Sequence, residues 1–225
     1  MKRNSILSLA AMLLLMVSCH PATEVKTSPD VRTFGLNGDV KEVYLSQELL
    51  SNSAGPYEGE DPWLLEDFLE LSFNEQGLVT DANGLGYEYD AEGNYLPGDP
   101  ARGDMVRDAQ GRIVKIYDYT QDAEWEGGVE DPEECLDRLF TYDDQGRPAS
   151  VLTGSLSWGS TTTYTYEDDK PYPASCTYGD NTVTYEYKKF DDKGNWTERI
   201  TTYTSPSDAY PTVDREVRKI SYWSD

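Results

Sequence analysis

The sequence predicts an all-β protein: an antiparallel meander of stacked β-hairpins forming a curved repeat sheet. Two observations carry this. An acid-to-glycine turn signature recurs five times, and tyrosines stand in pairs two residues apart on either side of these turns. Helical periodicity is scarce by comparison, which a sheet-dominated fold requires.

The five signatures are Asn74-Glu-Gln-Gly77, Asp90-Ala-Glu-Gly93, Asp108-Ala-Gln-Gly111, Asp143-Asp-Gln-Gly146 and Asp191-Asp-Lys-Gly194. An aromatic residue directly precedes four of them: Phe73, Tyr89, Tyr142 and Phe190. A leading Asp or Asn accepts a hydrogen bond from backbone two residues on, and a glycine three positions later takes the positive φ that closes a bulged hairpin. Each copy therefore predicts a hairpin tip, with at least four of the five glycines at positive φ. Tyr166-Glu-Asp-Asp-Lys-Pro171 reads as a degenerate copy without its glycine.

The flanks alternate as strands do. Tyr87 and Tyr89, Tyr117 and Tyr119, Tyr164 and Tyr166, and Tyr185 and Tyr187 each share one strand face, and Thr161, Thr163 and Thr165 occupy the face opposite the third pair. From Pro148 onward, turns are expected near Trp158-Gly159, Asp169 to Pro171 and Gly179 to Asn181, with long strands near Asn195–Thr204 and Val213–Trp223. The acidic stretch Gln121–Glu134 is expected to interrupt the sheet as a loop. Pro62–Glu70 is the one segment that fits helical spacing, through Leu64, Leu65, Phe68 and Leu69, and a strand over Asp67–Phe73 fits equally well.

Residues 1–18 read as a lipoprotein signal peptide: Met1-Lys2-Arg3, an apolar run from Ile6 to Val17 broken by Ser8, then Ser18 before Cys19. That run is too short to cross about 30 Å of hydrocarbon as a permanent helix. Met16-Val17-Ser18-Cys19 resembles a bacterial lipobox, with Met16 where the pattern prefers Leu. The resemblance implies acylation of Cys19 and a lipid bilayer as the first partner, with ordinary secretion as the alternative. Residues 19–31 then read as a lipidated tether and 32–225 as one repeat domain.

Loss of Lys2 and Arg3 with the signal peptide leaves 17 basic against 42 acidic residues, a net charge of −25. Nucleic acid is thereby disfavoured as a partner, since phosphate binding needs clustered Lys and Arg. Cys135 and Cys176 are an even pair in an exported chain, and the sequence leaves open whether they bridge.

The aromatic-Asp-x-x-Gly-polar unit at Tyr89–Asn94, Tyr142–Arg147 and Phe190–Asn195 resembles the YD repeat of RHS proteins. Phe34-Gly-Leu-Asn-Gly-Asp-Val-Lys41 and Gly194-Asn-Trp-Thr197 are similar to small YD-repeat lipoproteins of Gram-negative gut bacteria. The resemblance covers Phe34 to Trp223 and implies an outer-membrane lipoprotein with a curved sheet. It supplies no catalytic residue.

Chemistry in the folded part is restricted. The one histidine, His20, lies in the expected tether, so His-based triads and multi-His metal sites are excluded from the domain. The turn acids are adjacent rather than alternating, unlike a calcium loop. No cofactor or metal is expected, and the reading is a non-catalytic binding module for a protein or glycan partner. Carboxylate-based glycoside hydrolysis is the alternative, since it needs only two suitably placed acids. The tyrosine pairs are assigned to packing, and Trp125 and Trp158 are the candidate ligand contacts.

Overall fold

The structure, a computed structural model, describes residues 27–52, 55–56, 64–96, 104–118, 135–154 and 159–224. Cys19, Trp125, Trp158, Tyr119 and the acidic stretch Gln121–Glu134 lie outside the described residues.

Among the described residues a short helix, α1 (Pro29–Thr33), precedes sixteen strands. They are β1 (Val40–Asn52), β2 (Gly55–Pro56), β3 (Leu64–Phe73), β4 (Val79–Ala82), β5 (Leu85–Gly86), β6 (Glu88–Tyr89), β7 (Tyr95–Leu96) and β8 (Asp104–Arg107), followed by β9 (Ile113–Tyr117), β10 (Leu136–Tyr142), β11 (Pro148–Thr153), β12 (Ser160–Thr165), β13 (Ser175–Tyr178), β14 (Asn181–Phe190), β15 (Trp196–Thr204) and β16 (Thr212–Tyr222). The main sheet runs β5-β4-β3-β1-β16-β15-β14-β13-β12-β11-β10-β9-β8, with β2 on β1, and every pairing is antiparallel. Strands β6 and β7 form a separate hairpin. The meander is therefore continuous from β8 to β16. There the last strand turns back onto the first, with Val43 opposite Ile220 and Ser46 opposite Val217.

The sheet curls until its two ends share one core. Val40, Val43, Leu71, Phe73 and Val79 from one end meet Met105, Ile113, Ile116, Phe140 and Val151 from the other, with Val31, Leu36 and Tyr87 between them. Helix α1 sits at this seam. Ser28 caps it by accepting from the Val31 N–H, and Pro29 occupies its first turn. The Asp30 carboxylate, fully buried, accepts from the Val79 N–H at 2.9 Å and is ion-paired to Arg107 of β8. Arg107 also donates to the Tyr89 hydroxyl, which in turn donates to the Val79 carbonyl. β4 and β8 are thus joined through side chains.

One expectation is corrected here and one choice is decided. The domain expected to start at residue 32 begins earlier, because Ser28 through Val31 are packed into it, with Asp30 and Val31 fully buried. Of the helix fitted to Pro62–Glu70 and the strand fitted to Asp67–Phe73, the strand holds, since Leu64–Phe73 is a strand paired with β1. Backbone pairing with β1 outweighs a helical spacing only one or two turns long.

All five repeat turns have one geometry. In each, the leading Asp or Asn accepts through Oδ1 from the N–H groups two and four residues on. The glycine N–H donates back to the leading residue's carbonyl, and all five glycines have φ between 74° and 83°. Gly77 is doubly constrained, as an added Cβ would stand 2.7 Å from the Ser28 hydroxyl. In the degenerate copy Lys170 donates to the Glu167 carbonyl, and Asp168 takes the positive φ instead, at 45°.

The tyrosine of one turn is tied to the turn before it. Tyr89, Tyr142 and Tyr166 donate to the carbonyls of Val79, Ile113 and Pro148, each five residues past the preceding Asn or Asp. Arg112 and Arg147, the residues that close two of the turns, lie over Tyr142 and Tyr166 at 4.3 and 4.2 Å.

Two consequences are testable by thermal melting. Asp30→Ala strands Arg107 and the Val79 N–H, and is expected to cost about 3 kcal/mol, of which Asp30→Ala with Arg107→Met recovers part. An additive double variant would contradict the seam pairing. In the repeat turns, burial raises the Asp108 and Asp143 carboxyls, but hydrogen bonds from Arg112 and from Arg147 outweigh it and hold both below the ordinary carboxylate value. Their contribution is therefore full above about pH 4 and lost as pH falls further. Asp143→Ala is expected to cost about 1 kcal/mol at pH 7. Asp143→Asn, which keeps the turn acceptor as Asn74 does, costs less. The gap between wild type and Asp143→Ala closes toward pH 3.

Candidate functional site

The inner face of β14–β16 departs from the apolar pattern of the rest of the core. Because side chains alternate along a strand, Asp214, Glu216 and Arg218 of β16 point inward together while Arg215 points outward. Register places Arg199 of β15 opposite Glu216 and beside Tyr187 of β14. Of these residues Arg199 and Arg218 line a cavity of about 300 Å³, together with Arg138, Phe140, Tyr164, Tyr185 and others. Its floor at the turn end is Thr33-Phe34-Gly35, the segment just after α1. Thr33 is held there by the Tyr142 hydroxyl at 2.9 Å, and Asn37 by the buried Asn195 side chain, which accepts from its N–H at 2.7 Å and donates to its carbonyl at 2.9 Å.

Arg199 donates through Nε and Nη2 to one Glu216 oxygen, at 2.8 and 2.6 Å, and lies over the rings of Trp196 and Tyr185 at 4.2 Å each. Burial lowers its pKa, but the Glu216 charge and the neighbouring tyrosines outweigh that and raise it overall. Arg218 lies 3.7 Å from the centre of the Trp196 ring, and its Nε and Nη1 are enclosed without a hydrogen-bond partner. Burial, together with the charge of Arg199, pushes the Arg218 guanidinium down to about 9, against the opposing pull of Glu216. It is still a cation at neutral pH. Burial likewise pushes the Tyr164, Tyr166 and Tyr185 hydroxyls up, so all three face the cavity as neutral phenols.

The inward acids are engaged elsewhere. Gln47 donates to Asp214, whose carboxyl is raised by burial and by Glu216, and neither Asp214 nor Glu216 lines the cavity. Cys135 and Cys176 are buried and form no disulfide with each other, and the Cys176 sulfur lies 3.1 Å from the Tyr185 hydroxyl. Among the described residues, no cluster of three His, Cys, Asp or Glu side chains is placed to hold a metal ion.

The structure assigns the repeat residues Asn74, Gly77, Asp90, Gly93, Asp108, Gly111, Asp143, Gly146, Asp191 and Gly194 to turns rather than to the cavity. The tyrosine pairs divide: Tyr87 and Tyr117 are buried, whereas Tyr164, Tyr166 and Tyr185 also form cavity wall. Arg138, Arg199, Arg218 and Trp196 do not stand out in the sequence as site residues. The signal for them is that Asp214 through Lys219 places charges on both faces of a strand, so the inward face there must be polar.

No family model matches the chain, and no curated protein does. Among solved structures, a porin-like protein from Bacteroides uniformis ATCC 8492 is 12% identical, with 81% of this chain and 96% of that chain covered and a TM-score of 0.32.

Removing the carboxylate bonded to Arg199 tests the site's electrostatics. Glu216→Gln is expected to lower stability by about 3 kcal/mol at pH 7, measured by denaturant unfolding, because Arg199 then loses its bonded carboxylate. A loss below about 1 kcal/mol would show that Glu216 does not balance Arg199.

Proposed function

We propose that the protein is an outer-membrane lipoprotein, anchored through acylated Cys19, whose YD-repeat-like domain is a non-catalytic binding module at the cell envelope. The observation that carries the binding reading is the ring-lined cavity, pre-formed between the curled sheet and the segment after α1. Its walls come from rigid strands, and aromatic rings combined with a few fixed charges are what small-ligand recognition uses. The inward acids support a non-catalytic role, since Asp214 is bonded to Gln47 and Glu216 to Arg199, and neither meets the cavity.

The outer face supports a tethered domain rather than a membrane-spanning barrel. Glu48, Arg215, Glu198 and Lys189 form an ion-pair ladder across β1, β16, β15 and β14. Arg215 and Lys189 hold the Glu198 carboxyl down to about 2. A lipid-facing band would be apolar at this position.

The test has two readouts. Wild type should pellet with membranes and yield an N-terminal Cys19 carrying acyl chains by mass spectrometry, whereas Cys19→Ala should not be retained. The mature protein should bind a member of a glycan and peptide panel in calorimetry without turnover, and Thr162→Trp, which fills the cavity, should abolish that binding. Unchanged binding by the filled variant would sink the cavity reading. Sustained hydrolysis, abolished by one acid substitution that leaves melting intact, would make the protein an enzyme.

A further inference from the structure

Three arginines, Arg138, Arg199 and Arg218, line one cavity in a protein with 42 acidic residues and 19 basic ones. Their charges are not all answered. Arg199 is bonded to Glu216, and Arg138 lies 3.3 Å from Asp137 through Nε. Among the described residues no carboxylate is bonded to Arg218: its Nε and Nη1 are buried without a hydrogen-bond partner, its guanidinium lies 3.7 Å from the centre of the Trp196 ring, and Glu216 acts on it only through space. A ring face answers charge but accepts none of the in-plane hydrogen bonds a guanidinium offers. An enclosed cation lacking an anion destabilises the fold that holds it. Such a residue is retained where binding supplies what folding does not.

We propose that Arg218 is the anchor for the carboxylate of a small ring-bearing ligand, an acidic sugar or an aromatic acid, whose body fills the tyrosine-lined cavity. This deepens the cavity-binding reading and rests on it. One uncompensated guanidinium matches one carboxylate, and the planar fork of arginine suits that group in particular. A dianion would bring one charge more than the cavity lacks. The volume, about 300 Å³, is at the small end of ligand pockets and suits one or two rings rather than a polymer threaded through the interior. Phe140, Tyr164 and Tyr172 offer the ligand body an apolar wall, and the neutral phenol of Tyr164 can donate to a further oxygen.

The test uses the mature protein and paired probes that differ in the acid group: galacturonate against galactose, and benzoate against benzyl alcohol, with sulfate as a third anion. Binding is read by calorimetry and by thermal shift. At least one acid is expected to bind and raise the melting temperature while its neutral partner does not, and the sugar and aromatic arms identify which body fits. Arg218→Met is expected to weaken that acid at least about tenfold while melting no lower than wild type, because it removes an unpaired buried charge. Arg218→Lys, which keeps charge without the fork, should also bind more weakly and guards against misfolding of the first variant.

Neutral probes binding as tightly as the acids would overturn the carboxylate assignment and leave the cavity reading standing. Sulfate matching the acids, with loss in both variants, would make the site a general anion site and overturn the assignment equally. If none of the probes binds at millimolar concentration, the assignment falls, and the filled Thr162→Trp variant decides separately whether the cavity binds anything.

Discussion

The fold depends on a carboxylate with two obligations. A sheet of this length has two edges, each presenting unpaired backbone groups, and a curled sheet brings those edges close without joining them. Asp30 is where they meet. Its oxygens accept from the backbone of β4 and from a guanidinium on β8, and neither demand can be met by solvent because the side chain is fully buried. A neutral or apolar residue there would leave both ends with unanswered donors. The same segment reaches further along the turn end of the sheet, through Thr33 to Tyr142 and through Asn37 to Asn195, so it acts as a plug that sets the curvature.

Around that plug, the repeat works as a relay between hairpins. Within a turn, the acid side chain organises the backbone. Between turns, a tyrosine hydroxyl answers a carbonyl of the previous hairpin, and an arginine at the turn's end covers the next ring. This explains why a tyrosine and an acid are adjacent at Tyr89-Asp90 and Tyr142-Asp143: one looks back to the neighbouring unit while the other closes its own. Phe73 and Phe190 have no hydroxyl for this role, and the copy at Asp108 is preceded by Arg107, which at the seam answers Asp30 instead.

Local signals were legible in the sequence and long-range ones were not. Turn chemistry is encoded within five residues, so the spacing to Gly revealed the five hairpin tips that carry it, though not the Asn83-Gly84 turn between β4 and β5, and alternation revealed the tyrosine faces. Helix α1 was not read from the sequence, because its five residues carry no period and a Pro-containing polar segment resembles a linker. β3 was undecided because Leu64, Leu65, Phe68 and Leu69 suit a short helix as well as a strand, and only β1 settles it. The arginine cavity was hidden for the same reason: Arg138, Arg199 and Arg218 come from three strands, and nothing local in any of them says that they converge.

The pairing of β1 with β16 has a consequence for the order in which the molecule is made. Ser46 and Val217, bonded across the middle of the sheet, are 171 residues apart. A chain appearing from its N-terminus can form the β3-β4 and β8-β9 hairpins early, but β16, which unites their two halves, emerges after both. Closure of the sheet thus waits for β16, and non-local closure of this kind is slow. Until β16 is in place, the β1-β3-β4-β5 strip and the β8–β15 meander remain two separate sheets, and the shared interior forms only when they join.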